Sequence, residues 1–165
     1  MEVKYTKRVH LKNYDYSDDG FYFITICTHA QKHLFGTVVD SVIYMNEKGL
    51  MVEEFWNDLT VRFSNINLDK FIIMPNHIHG IVQIKNNAEI SIHDIVCAFK
   101  SLSTNEYIKG VKELGWEKFD KKIWQISYFE HIIRNEKELY EIRKYIEQNP
   151  IAWELEKDTH MNNYL

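Results

Sequence analysis

Apolar and aromatic residues run almost unbroken through Phe21-Tyr22-Phe23-Ile24-Thr25-Ile26-Cys27-Thr28, and Asp18-Asp19-Gly20 stops the run on its N-terminal side. A β-branched, aromatic run bounded by turn formers predicts a strand. Residues 35–39 and 42–45 are apolar on either side of Asp40-Ser41, which predicts a hairpin. The period then changes. Leu50, Met51, Phe55, Trp56 and Leu59 recur at helical spacing over 46–62, with Asn46 placed to cap. Two apolar runs meet at Pro75-Asn76 and predict a pair of buried strands joined tightly. Ser91 can cap a helix through Ile95, Val96, Phe99, Leu102 and Tyr107 that ends near Gly110. After a less regular stretch over 111–122, residues 128–133 form a short strand. Asn135 then opens a helix carrying Leu139, Ile142, Tyr145 and Ile146, which Asn149-Pro150 stops before a short last helix over 151–157. Strands and helices intermingle through hairpins rather than regular parallel units. That predicts an α+β fold with a mainly antiparallel sheet, helices on one face and the 77–84 strand central. With no repeat, low-complexity tract or linker, residues 1–165 read as one domain.

Within the central run, Met74-Pro75-Asn76-His77-Ile78-His79-Gly80 places two histidines two residues apart. Alternation along a strand aims His77 and His79 to one side and sends Ile78 into a core on the other. Two imidazoles converging from a rigid strand are half of a metal site. Tyr145 and Asn149, four residues apart, share a face of the later helix and are candidates for a nucleophile and a third ligand.

Composition narrows the class. Hydrophobic content of 45% and charged content of 27% are those of a soluble globular chain. Cys27 and Cys97 lie far apart without metal-type spacing and sit among apolar neighbours, so they read as buried free thiols of a reducing cytoplasm. No segment has the length of a membrane span, and the polar start Met1-Glu2-Val3-Lys4 does not read as a signal peptide. A net charge of −4 does not announce a nucleic-acid binder, but Lys4, Lys7, Arg8 and Lys12 concentrate positive charge in an N-terminal arm.

The ordered set of motifs resembles a known family. A His-hydrophobe-His strand followed by a helix with Lys144-Tyr145-Ile146-Glu147-Gln148-Asn149-Pro150 is similar to the single-tyrosine HUH transposases of the insertion sequence 200/605 type, closest to the REP-associated tyrosine transposases. Phe23-Ile24-Thr25-Ile26-Cys27-Thr28, Phe99-Lys100-Ser101, Trp124-Gln125 and Glu130-His131-Ile132-Ile133-Arg134 extend the resemblance across nearly the whole chain. It implies a ferredoxin-like α+β sandwich, the HUH endonuclease fold. It also implies cleavage and transfer of single-stranded DNA near hairpins through a covalent 5′-phosphotyrosine. Tyr145 would then be the nucleophile, with His77, His79 and Asn149 holding one divalent ion, magnesium or manganese. The resemblance is compatible with a homodimer or a monomer.

Residues expected to meet DNA are Lys4, Lys7, Arg8, Lys12, Lys100 and Arg134 as phosphate contacts, and Trp124 as a base-stacking platform. Asn149 has a rival role as the cap of the last helix, in which case Gln148 becomes the substitute ligand. Of Glu130 and His131, neighbours on a strand, at most one can face the site. Two other functions fit the residues: a domesticated hairpin-binding protein with little catalysis, and a metal phosphodiesterase in which water attacks and Tyr145 merely packs.

Overall fold

A computed structural model describes residues 20–85 and 89–162. In chain order the elements are β1 (Gly20–Cys27), β2 (Gly36–Val39), β3 (Val42–Met45), α1 (Glu47–Asn57), α2 (Leu59–Arg62), β4 (Ile66–Met74), β5 (His77–Ile84), α3 (Ile92–Glu113), β6 (Phe129–Ile133), α4 (Glu136–Glu147) and α5 (Asn149–Asn162). The sequence-derived caps hold. Asn46 accepts from the Gly49 amide, Asn135 from that of Glu138, and Ser91 closes a reciprocal capping box with Asp94. Asp40 and Ser41 both adopt positive φ, the twist a two-residue hairpin turn requires. Two boundaries move. α3 runs to Glu113 rather than stopping at Gly110, and the final helix starts at Asn149 and reaches Asn162. The predicted 46–62 helix is divided at Asp58 into α1 and α2.

Four strands form an antiparallel sheet in the order β4-β5-β1-β6, with β2 and β3 as a separate ribbon. β5 is therefore interior, as expected. The helices occupy both faces of this sheet rather than one. On the first face Tyr22, Ile24 and Ile26 of β1 and Ile78, Val82 and Ile84 of β5 join α1 and α3 through Val52, Trp56, Ile95, Val96 and Phe99. On the second, Phe23, Ile81 and Ile133 pack against Leu139, Ile142 and Ile146 of α4. The unbroken apolar run of β1 is the sequence trace of this arrangement, because a strand buried on both sides loses its alternation.

Gly80 shows how tight the first face is. A β-carbon there would overlap the Trp56 ring, so the residue after the second histidine must be glycine for the indole to lie flat on β5. β4, at the sheet edge, slips register between Leu68 and Phe71. The bulge carries Asp69 and Lys70, and α4 uses both.

Candidate metal and nucleophile site

β4 and β5 are joined by the two-residue turn Pro75–Asn76, because Met74 pairs with His77. The turn is fixed from outside: the amides of Leu34 and Phe35 donate to the Pro75 carbonyl and that of Thr28 to the Asn76 carbonyl. From this anchored turn His77 and His79 project onto the α4 face with ring centroids 4.5 Å apart. Each ring is held by its Nδ1. His77 Nδ1 lies 2.6 Å from Asn76 Oδ1, and the Asn76 amide nitrogen donates to Gln31, which fixes the oxygen toward the histidine. His79 Nδ1 lies 2.7 Å from Thr25 Oγ1, from the residue directly opposite it on β1. With oxygen partners on Nδ1, the two Nε2 atoms are the ones that could coordinate a metal.

The two Nε2 atoms differ in their partners. His79 Nε2 is buried with no hydrogen-bond partner. His77 Nε2 sits 3.2 Å from Asn149 Oδ1. With the His77 proton on Nδ1, that contact sets two lone pairs against each other, which a cation between them would relieve. Burial pushes the His77 imidazole down to about 4, against a smaller upward pull from Asn149. Burial drives His79 well below the usual imidazole range, and the neighbouring His77 adds to the effect. Both rings are thus neutral at pH 7, the form that ligates metals. Among the described residues no three His, Cys, Asp or Glu side chains gather for a metal. The donor set here is two imidazole nitrogens and one amide oxygen, and the orphaned Nε2 together with the facing lone pairs fits a divalent ion.

α4 brings Tyr145 over this pair. Its ring centroid is 5.3 Å from that of His79 and 6.0 Å from that of Phe23. Tyr145 also packs on the apolar cluster beneath α4, so the nucleophile and core-aromatic readings meet in one side chain. The two candidates for the third ligand differ in placement. Gln148 is exposed and ends α4, its carbonyl accepting from Ala152, while Asn149 is buried and faces His77. Trp153, one turn further, lies between His77 and His33, at 6.0 and 5.2 Å between centroids. His79 lies at the bottom of the site, 1% exposed, while His77 and Tyr145 keep part of their surface exposed.

Charged clips seat α4. Arg143 makes two hydrogen bonds to Asp69, at 2.7 and 2.6 Å, and Lys70 pairs with Glu147, so both residues of the β4 bulge grip the helix. The Arg143 guanidinium holds the Asp69 carboxyl below its usual range. At the other side His131 pairs with Glu138. His131 shares the site face of the sheet, since it pairs with Phe23, and Glu130 points to the opposite one.

Two expected DNA contacts are structural instead. The Lys100 ammonium is half-buried and donates to the carbonyls of Gln125, Ile126 and Ser127, bracing the loop before β6. Trp124 is 4% exposed and its indole nitrogen donates to Ser103, so it offers no face to a base. Arg134 is exposed, as a phosphate contact requires. Lys4, Lys7, Arg8 and Lys12 lie outside the described residues. Cys27 is half-buried, but Cys97 is exposed, 3.4 Å from His93 Nε2. Neighbours in sequence do not share a helix face, so Val96 and Ala98 say nothing about where Cys97 points. Thr25 and Asn76, which orient the histidines, carry no signal in the sequence, since their roles exist only once strand register is set.

Comparison with known proteins places this arrangement among relatives. The family described as "Transposase IS200 like" matches residues 22–149. An uncharacterized protein of Haemophilus influenzae is 34% identical over 173 aligned positions, covering 93% of this chain and 96% of that protein. The fold is similar to that of a REP-associated tyrosine transposase solved bound to a REP hairpin, with a TM-score of 0.64 and 19% identity over 88% of this chain and 74% of that one. A candidate transposase of Deinococcus radiodurans R1 is similar with a TM-score of 0.54 and 18% identity, over 86% of this chain and 96% of that one.

Proposed function

Because the chain belongs to the IS200-like transposase family, we propose that it is a single-tyrosine endonuclease and strand transferase acting on single-stranded DNA beside a hairpin. Tyr145 is the nucleophile, and His77, His79 and Asn149 hold one divalent ion. The observation that carries the reading is the convergence of these four side chains on one sheet face from two distant parts of the chain. The fold relative that was solved with a REP hairpin bound supports a hairpin-bearing substrate. Residues 1–165 act as one catalytic domain, in the cytoplasm. No described helix is long and apolar enough to cross a membrane.

The chemistry follows from the residues. The Tyr145 oxygen forms a bond to phosphorus as its proton leaves. The bond from phosphorus to the 3′ oxygen breaks, and that oxygen takes up a proton to become a free 3′-hydroxyl. The downstream strand stays on Tyr145 as a 5′-phosphotyrosine. Its bond energy is kept for rejoining, which attack by water would lose. Magnesium or manganese, when bound, supplies neutralisation of phosphate charge. The neutral donors His77, His79 and Asn149 leave the whole charge of the ion available for that task. Thr25 and Asn76 keep the two imidazoles in the ligating orientation.

The test is adduct formation. Incubated with manganese and a hairpin carrying a single-stranded flank, the protein should yield a protein–DNA species that survives boiling in detergent. Label on the downstream fragment should stay with the protein, and Tyr145→Phe should erase the adduct. Cleavage without an adduct would assign the attack to water. Hairpin binding with no cleavage would leave a binding protein.

A further inference from the structure

A second feature of the sheet lies at its far end. Phe21, Gln83 and Asn67 stand directly opposite one another on β1, β5 and β4, in a row on the same face as the histidines. From His77 to Gln83 along β5 is about 20 Å at the rise of a strand. The row opens into a cleft of about 760 Å³ that Asn57, Thr60 and Asp69 also line. That volume is in the range of small-ligand sites.

The chemistry of the lining selects its occupant. Asp69 is the one ionisable side chain among the lining residues, and Arg143 engages it. The cleft therefore offers no free cation to a phosphate. It offers amides and a ring. Asn67 Nδ2 donates to Gln83 Oε1 at 3.3 Å. Whichever of the two amides donates, their pairing leaves one carbonyl oxygen and one amino group for a third partner. A donor and an acceptor on paired residues can complement the edge of a nucleobase, and Asn and Gln are the side chains that read such edges. Phe21 is half-buried against the cluster under α4, and its remaining surface lines the cleft, where a planar ring can stack. A phosphate would find neutral dipoles and the Asp69 carboxylate here, whereas an unpaired base would meet groups for both its edge and its face.

We propose that this cleft is a subsite for one unpaired nucleobase of the DNA strand, held at its edge by Asn67 and Gln83 and against its face by Phe21. The proposal rests on the DNA-binding reading above and adds to it a position where the protein senses the strand well away from the cut. It makes Asn67 and Gln83 specificity-determining residues with no part in the chemistry.

The experiment uses the full chain, without divalent metal so that no strand is cut. A hairpin with a single-stranded flank is labelled, and each flank nucleotide is replaced in turn by an abasic one. Fluorescence anisotropy should find one position where losing the base weakens binding about tenfold, the size of one stacked base. In Asn67→Ala, at an exposed residue, that position should become as tolerant as its neighbours while the rest of the profile is unchanged. Gln83→Met, which keeps the shape of the side chain but removes its polar atoms, should do the same. A flat abasic profile in the parent protein, or a sensitive position that persists in Asn67→Ala, overturns the subsite. Absence of any DNA binding instead overturns the reading on which it rests, so the two failures are distinct.

Discussion

The two faces of the main sheet are built by opposite rules. On the α1 and α3 side, Tyr22, Ile24, Ile26, Ile78 and Val82 meet Trp56 and Phe99 in a dry core, closed so tightly that position 80 must be glycine. On the α4 side the apolar cluster is small, polar groups are buried among it, and ion pairs hold the helix in place. The same strand serves both, since alternate residues of β5 belong to different faces. Stability and chemistry are thus separated by one residue rather than by a domain boundary. Substitutions one position apart should fail in different ways.

The strongest contrast is between His79 and Trp56. His79→Ala should lower adduct formation by more than about a hundredfold, since losing even a supporting partner of a metal ligand costs up to that much. Its thermal melt should fall by less than that of a core truncation, because the cavity is smaller and one buried hydrogen bond, to Thr25 Oγ1, is lost with it. Trp56→Ala should do the reverse, costing about 3–5 kcal/mol in denaturant unfolding. Its folded fraction should still form the adduct at the parent rate. A melt collapsing in His79→Ala would break the division.

Acid sharpens it next. The His77 and His79 pKa values are lower folded than unfolded, so the unfolded chain binds more protons below pH 6.5. Stability is full above that pH and falls as pH drops from about 6.5 toward 4, by roughly 1.4 kcal/mol per unit for one group. In His77→Ala the slope of stability on pH over this window, read by chemical denaturation, should be shallower. An unchanged slope would show that the site face does not carry the acid sensitivity.

The smallest effect concerns the helix clips. Arg143 and Asp69 are partly exposed, so Asp69→Asn should cost less than about 1 kcal/mol globally. Hydrogen exchange should nevertheless quicken selectively in α4, and adduct formation should slow while DNA affinity holds. Exchange rising equally over α1 and α3 would mean that the clip supports the whole fold.

These contrasts also mark what the chain discloses before folding. His77, His79 and Tyr145 are legible because strand and helix periods assign faces without knowledge of neighbours. The caps Asn46, Ser91 and Asn135 are legible for the same local reason. Asn149 is divided in the sequence between cap and ligand, and its approach to His77 is set only by tertiary packing. Lys100 and Trp124 mislead as DNA contacts because their partners, three loop carbonyls and Ser103, lie 21 to 27 residues away. Local periodicity holds no record of such contacts. The split of helices between two faces is written faintly, in the missing alternation of β1.

The separation in sequence between His77 and Asn149, 72 residues, has a consequence in time. The β4–β5 hairpin closes through neighbours and can form early. Tyr145 and Asn149 reach the ribosome exit later, and synthesis at about 5–20 residues per second leaves several seconds between the two events. Throughout that interval a nascent chain carries both histidines but not yet Tyr145. A polypeptide cut short before α4 would lack it too. On the function proposed above, competence to cut would arrive only after α4 and the start of α5 have been made.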